Sequence, residues 1–321
     1  MLDHIHIENF RLFKELDIPK VGQVNLITGK NNAGKTTLLE ALRLWANANN
    51  NLFFGGPLVM MLLRERGDIN GDVMTSINSL FHTVKKVEII KNHNNLIAVL
   101  KINKITVKLT PENLIFQNAI GESLDWNLGV INERAAPDIS NFVSSRFELQ
   151  NARLWQNIEL TDKEDKVAEI LRIIEPKIVR VSIDTAENSA KVRLSNSTKP
   201  VPLKNYGEGL NRLLTIALGL VSSENNMLLI DEVDIGLHHS VQHLLWQIVF
   251  QNAKDLNVQV FATTHSSDCV EAFSDIANKP EYVGMGNYIR LQRSKKDGNI
   301  MAVDYEMEQL GNALDLNSET R

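Results

Sequence analysis

The 321-residue chain has a single cysteine, Cys269, so no intrachain disulfide can form and a disulfide-stapled secreted scaffold is excluded. That usage fits a reducing, cytoplasmic setting. Basic residues are in deficit: Lys plus Arg is 34 against 39 for Asp plus Glu, a net charge of −5. A general basic coat for nucleic acid is therefore absent, although a local basic groove is compatible with the average. Long apolar runs are missing too. The richest early stretch, residues 51–63 (NLFFGGPLVMMLL), is broken by Gly-Gly-Pro and falls short of the ~20 residues of a membrane span. The opening MLDHIHIENF has no basic region followed by an apolar run, so no signal peptide is expected. Repeats, low-complexity tracts and sustained heptads are also lacking. What remains is an ordinary globular composition, 43% hydrophobic and 23% charged, in a chain long enough to bury a sizeable core.

Periodicity divides the chain into three stretches. In the first fifty residues His4-Ile5-His6-Ile7 alternates like a half-buried strand. Residues 24–28 (VNLIT) form a short strand closed by Gly29, and residues 37–47 place Leu38, Leu39, Leu42 and Trp45 at helical spacing. Between about 50 and 200, residues 87–91, 96–102 and 105–109 read as a β-meander. Residues 161–174 read as a helix with Thr161 as its N-cap, and 178–183 and 191–194 as two more strands. From 200 onward, strands and helices alternate: helix 210–221, strand 227–230, helix 239–251, strand 258–262. Such alternation predicts an α/β architecture with a mainly parallel sheet flanked by helices. Residues 288–305 read as a closing hairpin turning at Asp297-Gly298.

Four clusters carry chemistry. Gly29-Lys30-Asn31-Asn32-Ala33-Gly34-Lys35-Thr36 matches G-x4-G-K-[ST], between a strand and a helix. Glycines let the backbone curl so that its amides and the following helix N-terminus cradle phosphate. Lys35 is expected on the β- and γ-phosphates of ATP, and the Thr36 hydroxyl on Mg²⁺, with Thr37 next in the cradle. Asp231-Glu232 ends the apolar strand Met227-Leu228-Leu229-Ile230. Asp231 is expected to hold Mg²⁺, and Glu232 to polarise the attacking water. His265 ends the strand run Val258 to Thr264 and is placed to sense the γ-phosphate. Gly207-Glu208-Gly209 opens another helix and makes a second anion-friendly terminus, which points to donation across a subunit interface.

In this order the four elements resemble the ABC-type ATPase heads, in the group of SMC, RecF and OLD (overcoming-lysogenization-defect) ATPases. IENFRLFKELDI is similar to that group's first strand, GKNNAGKTTLLEAL to its phosphate loop, YGEGLNRLL to its signature, LLIDEVDIGLHHS to Walker B with the D-loop, and VFATTHSSDCV to the switch-histidine strand. The signature departs from the family in reading Gly-Glu-Gly for Ser-Gly-Gly. The resemblance implies one ABC-type P-loop head over 1–321. Its P-loop core would lie in 1–50 and 200–275, its meander and helical insertion in 50–200, and a hairpin and tail in 276–321. The resemblance also implies Arg11 on the nucleotide, Mg-ATP hydrolysis and an ATP-bound homodimer. The expected biological setting is OLD-like phage defence with a separately encoded effector, a Toprim nuclease first among candidates. Only some fifty residues follow His265, so no Toprim domain is expected within the chain. A RecF/SMC-like repair ATPase that binds DNA directly is the alternative. A ring-forming AAA+ motor fits poorly, because Thr264-His265 stands where its polar sensor belongs and no helical lid is evident. The 46–82 segment is expected to be an inserted helical face for a partner, with its Leu, Phe and Met clusters more often core than docking surface.

Overall fold

The computed structural model describes residues 1–50, 55–68, 73–82, 98–110, 112–118, 120–127, 141–145, 150–187, 189–305 and 310. The chain opens with β1 (Ile5–Phe10), β2 (Phe13–Ile18), β3 (Val24–Gly29), α1 (Lys35–Asn50), α2 (Gly55–Arg66) and α3 (Val73–Asn78). It continues through β4 (Ala98–Ile102), β5 (Ile105–Leu109), β6 (Asn113–Gln117), β7 (Ser123–Asn127), β8 (Phe142–Val143), α4 (Asn151–Gln156) and α5 (Lys163–Arg172). Then come β9 (Ile178–Asp184), β10 (Ser189–Leu194), β11 (Val201–Pro202), α6 (Glu208–Ser222), β12 (Met227–Ile230) and α7 (Gln242–Asp255). β13 (Gln259–Thr263), α8 (Ser267–Ala277), β14 (Gly286–Arg293) and β15 (Ile300–Tyr305) complete it. Among the described residues no helix is long and apolar enough to cross a membrane.

The central sheet runs β15-β14-β3-β13-β12-β8, parallel except for β15. Its inner strands are apolar on both faces, as a sheet covered on both sides requires. Alternate residues divide between two cores. Leu26, Leu228, Ile230, Val260 and Ala262 pack with α6, α7 and α8, whereas Ile27, Leu229, Phe261, Ile289 and Leu291 pack with α1 and α2. The second core is closed by an antiparallel sheet, β2-β1-β4-β5-β6-β7, whose β5 shows the expected period of two. A three-stranded sheet, β11-β10-β9, packs against α5 and α6.

The layers cut across the divisions expected at 50, 200 and 276. β1 and β2, expected in the P-loop core, belong to the antiparallel sheet. The 286–305 hairpin, expected as a terminal appendage, forms two strands of the central sheet, with β14 directly beside β3. Antiparallel pairing of β1 with β4 explains the first shift: Ile7 stands opposite Ile102 in the second core. The meander runs on through β6 and β7, while residues 87–91 lie outside the described set. Helix α5 starts at Lys163 with Asp162 at the cap position, one residue later than the expected Thr161 cap, and the Thr161 hydroxyl accepts from the Lys163 amide at 3.3 Å. In the 46–82 insertion Leu58, Val59, Leu62 and Leu63 are buried, and Met60 and Met61 pack against them. The Leu52-Phe53-Phe54 cluster lies outside the described residues.

Candidate functional site

β3 feeds α1 on one face of the central sheet, and its neighbour β13 feeds α8 on the other. Connections leaving in opposite directions open a crevice at the carboxyl ends of the two strands, the usual ligand position in an open α/β sheet. The Gly29–Thr36 loop and His265 flank that crevice. Two adjoining clefts, which share Asn31 and His265, occupy it. The smaller, about 290 Å³, is lined by Leu12, Asn31, Asn32, Gly34, Lys35, Thr36, Thr37, Arg66, Asp231, Glu232 and His265. The larger, about 580 Å³, includes Gly29 and Lys30 and the first turn of α8.

The loop's conformation needs its glycines. Gly29 (φ +145°) lies against β14, where a Cβ would stand 2.4 Å from the Leu291 carbonyl oxygen. Gly34 (φ +96°) backs onto Phe13, whose ring would lie 2.8 Å from an added Cβ. Ala33 is buried beneath the loop, its amide donating to the Lys30 carbonyl at 3.1 Å. The Lys35 ammonium curls back to the Gly29 carbonyl at 2.9 Å and stands 3.5 Å from His265 Nδ1. Burial pushes Lys35 below the usual lysine range, while Asp231 and Glu232 pull it back up.

The two acids are held by a residue the sequence reading passed over. The Thr263 hydroxyl donates to Asp231 Oδ1 at 2.7 Å and accepts from the Glu232 amide at 2.8 Å. Glu232 has φ +49°, a conformation that costs a non-glycine residue about 1–3 kcal/mol and is characteristic of functional sites. Thr264 anchors the turn after β12 by donating to Asp234 Oδ1 at 2.6 Å, and Ser266 caps α8. Thr36 and Asp231 share the cleft with the curled loop, a donor set that suits Mg²⁺, which takes one or two carboxylates and completes its shell with water and nucleotide phosphates. Among the described residues no group of three or more His, Cys, Asp or Glu side chains could hold a metal alone.

Arg11 is elsewhere. Its side chain is buried, at 2.9 Å from Glu40 Oε2 and 3.2 Å from Asp68, outside both clefts. The arginine that does line the phosphate end is Arg66, from the last turn of α2, whose Nε reaches Glu40 Oε1 at 2.6 Å. Arg66 carries no motif, and only the packing of α2 beside α1 brings it in. Gly207, Glu208 and Gly209 line neither cleft. Gly207 (φ +88°) has open space where a Cβ would stand. Behind this loop Arg212, fully buried on α6, reaches the Walker B turn.

A family model described as an AAA ATPase domain matches residues 1–191 and 65–270. The chain belongs to this AAA ATPase family. It is similar to an ATP/GTP phosphatase of Helicobacter pylori (strain ATCC 700392 / 26695), 24% identical over 337 positions that span 88% of this chain and 90% of the relative. A 41-residue segment is 51% identical to the DNA replication and repair protein RecF of Lactobacillus acidophilus, covering 13% of this chain and 11% of RecF. Among solved structures, an SMC head bound to the C-winged helix domain of ScpA superposes with a TM-score of 0.57 at 14% identity, covering 96% of this chain and 98% of that one. The SMC head domain of Thermotoga maritima gives 0.51 at 13% identity, covering 95% and 99%. This AAA ATPase therefore has the fold of an ABC-type SMC head.

Proposed function

We propose that this ATPase works as a head-to-head switch, in which two copies enclose two Mg-ATP molecules and each cleft is completed by the Gly207–Gly209 loop of the other copy. One observation carries the reading. Helix α6 starts at an exposed glycine with no side-chain cap, away from the chain's own phosphate cleft. No side chain caps its first-turn amides, and the acid of that turn, Glu208, is exposed to solvent. ATP binding would close the pair, and hydrolysis by a water polarised by Glu232 would open it, with His265 and Lys35 on the γ-phosphate. The test is the solution mass of Glu232→Gln with and without Mg-ATP, alongside wild-type phosphate release. ATP-dependent doubling of mass with loss of hydrolysis supports the switch. A constant mass with hydrolysis unchanged ends it.

The OLD-like resemblance extends this reading to a defence system in which the closed pair recruits a separate effector, a Toprim nuclease being the first candidate. A pulldown of the ATP-locked protein would recover that effector, whereas DNA cleavage by the purified chain alone would contradict it. The RecF-like segment favours a second reading, a repair ATPase acting on DNA directly. Hydrolysis stimulated by duplex DNA would select it, and indifference to DNA would count against it.

A further inference from the structure

Glu208, the first residue of α6, is exposed, and among the described residues its carboxylate has no ion-pair or hydrogen-bond partner. An acid suits the first turn of a helix, but apolar side chains flank this one. Tyr206, two residues earlier, is exposed, and so is Ile235 on the turn after β12. That turn lies against the start of α6. A Cβ on Gly236 would stand 3.8 Å from Glu208 Cβ, and one on Gly209 would stand 3.4 Å from Leu237 Cδ2. A partner that covered Tyr206 and Ile235 would take Glu208 out of water as well, and a carboxylate removed from water needs a counter-charge.

The clefts that this terminus would complete in the other copy sharpen the demand. Asp231, Glu232 and Asp268 line them, and bound triphosphate adds to that negative charge. An ionised carboxylate only accepts hydrogen bonds, so Glu208 cannot hold a phosphate oxygen itself and must find a cation beside the phosphate. Three cations line the clefts, Lys30, Lys35 and Arg66. Lys35 curls into the phosphate loop onto the Gly29 carbonyl, and Arg66 is held by Glu40 at 2.6 Å. Lys30 is exposed, and among the described residues its ammonium has no partner. We propose that Glu208 of one copy pairs with Lys30 of the other, and that two-fold symmetry makes the contact twice in each closed pair. The contact gives a reason for Gly-Glu-Gly where the heads this chain resembles carry Ser-Gly-Gly. Opposite charges on the two approaching surfaces steer the copies together and fix their register. A head with the wrong charge at either position is rejected, so the same contact selects which heads pair. The pairing of Glu208 with Lys30 rests on the head-to-head reading and adds to it the residues that choose the partner.

The test is sedimentation of the full chain carrying Glu232→Gln, with Mg-ATP. In that background Glu208→Lys alone and Lys30→Glu alone each set like charges against each other at both contacts. Each should weaken pairing by roughly tenfold or more. An equimolar mixture of the two variants joins opposite charges again at both contacts, and should pair within about threefold of the parent. No recovery in the mixture, with the parent pairing normally, overturns the contact and leaves the head-to-head switch standing. A parent that stays single with Mg-ATP overturns both. If calorimetry shows that Lys30→Glu no longer binds ATP, a neutral cycle in the same background decides. Losses from Glu208→Gln and Lys30→Gln that add in the double variant overturn the contact, and a double variant no weaker than either single one supports it.

Discussion

Arg212 and Glu232 are joined through the backbone: the Arg212 guanidinium donates to the Glu232 carbonyl at 2.8 Å, directly at the residue held at φ +49°. The same guanidinium donates to the carbonyls of Asp231 at 2.8 Å and Ser144 at 2.9 Å. Burial lowers its pKa to about 10, and Asp231, Asp234 and Glu232 act against that shift. Since Arg212 sits in the first turns of α6, one side chain links the helix opened by the Gly207–Gly209 loop to the Asp231-Glu232 turn.

Replacing Arg212 by Met should therefore cost about 3–5 kcal/mol, because the half-buried Ser144 and Asp231 carbonyls lose this donor and the Glu232 carbonyl keeps only the Ile235 amide at 3.1 Å. The urea midpoint measures this. Hydrolysis should fall further than ATP affinity, and Arg212→Lys should restore stability only in part, since an ammonium cannot reproduce the planar fork. An unchanged midpoint in Arg212→Met would mean that water satisfies those carbonyls.

Gly29→Ala places a methyl group 2.4 Å from the Leu291 carbonyl oxygen at a φ that L residues rarely adopt. The expected strain is about 1–3 kcal/mol, located where the loop leaves β3. Calorimetric titration should show at least a tenfold loss of ATP affinity along with a lower melting temperature. Normal affinity would show that the loop can be rebuilt without this glycine.

Arg66 and Arg11 both contact Glu40 but should fail differently when removed. Arg66→Ala, at the cleft, should weaken ATP binding about tenfold, or ~1.4 kcal/mol, with partial rescue by Lys. Arg11→Ala, in the interior, should leave affinity near normal and cost about 2 kcal/mol or more of stability. The reverse pattern in paired binding and unfolding measurements would return Arg11 to the nucleotide.

Lys35 sets an alkaline limit on binding. Its pKa lies below the ordinary lysine value of 10.5, chiefly through burial. Triphosphate favours the charged form, so ATP binding raises that pKa again. Affinity should accordingly hold at neutral pH and fall as pH rises through the free protein's Lys35 pKa, with its midpoint below 10.5. A binding curve flat to higher pH would show that the ammonium contributes little.

The chemistry legible in the sequence was the part carried by short, contiguous spacing. Gly29 to Thr37, Asp231-Glu232 and His265 each sit at the end of a strand or the start of a helix, and local periodicity finds those boundaries. Arg66 escaped because α2 delivers it by tertiary packing. Thr263 carries a legible signal, since a hydroxyl on the last residue of a buried strand needs a partner. The layer assignments of β1, β2 and the terminal hairpin depend on pairing between distant segments, such as Leu26 with Tyr288, for which a single sequence offers no signal.

The position of β3 sets a timetable for synthesis. Its two flanking strands are β13 and β14, both more than two hundred residues downstream. At ~5–20 residues per second, roughly 10–50 s separate emergence of the phosphate loop from emergence of the strand that braces it. During that interval the loop is present in the nascent chain but has no wall of Leu291 to press against. A nucleotide bound in this cleft would therefore stabilise the chain with β13 and β14 in place over shorter intermediates that lack them.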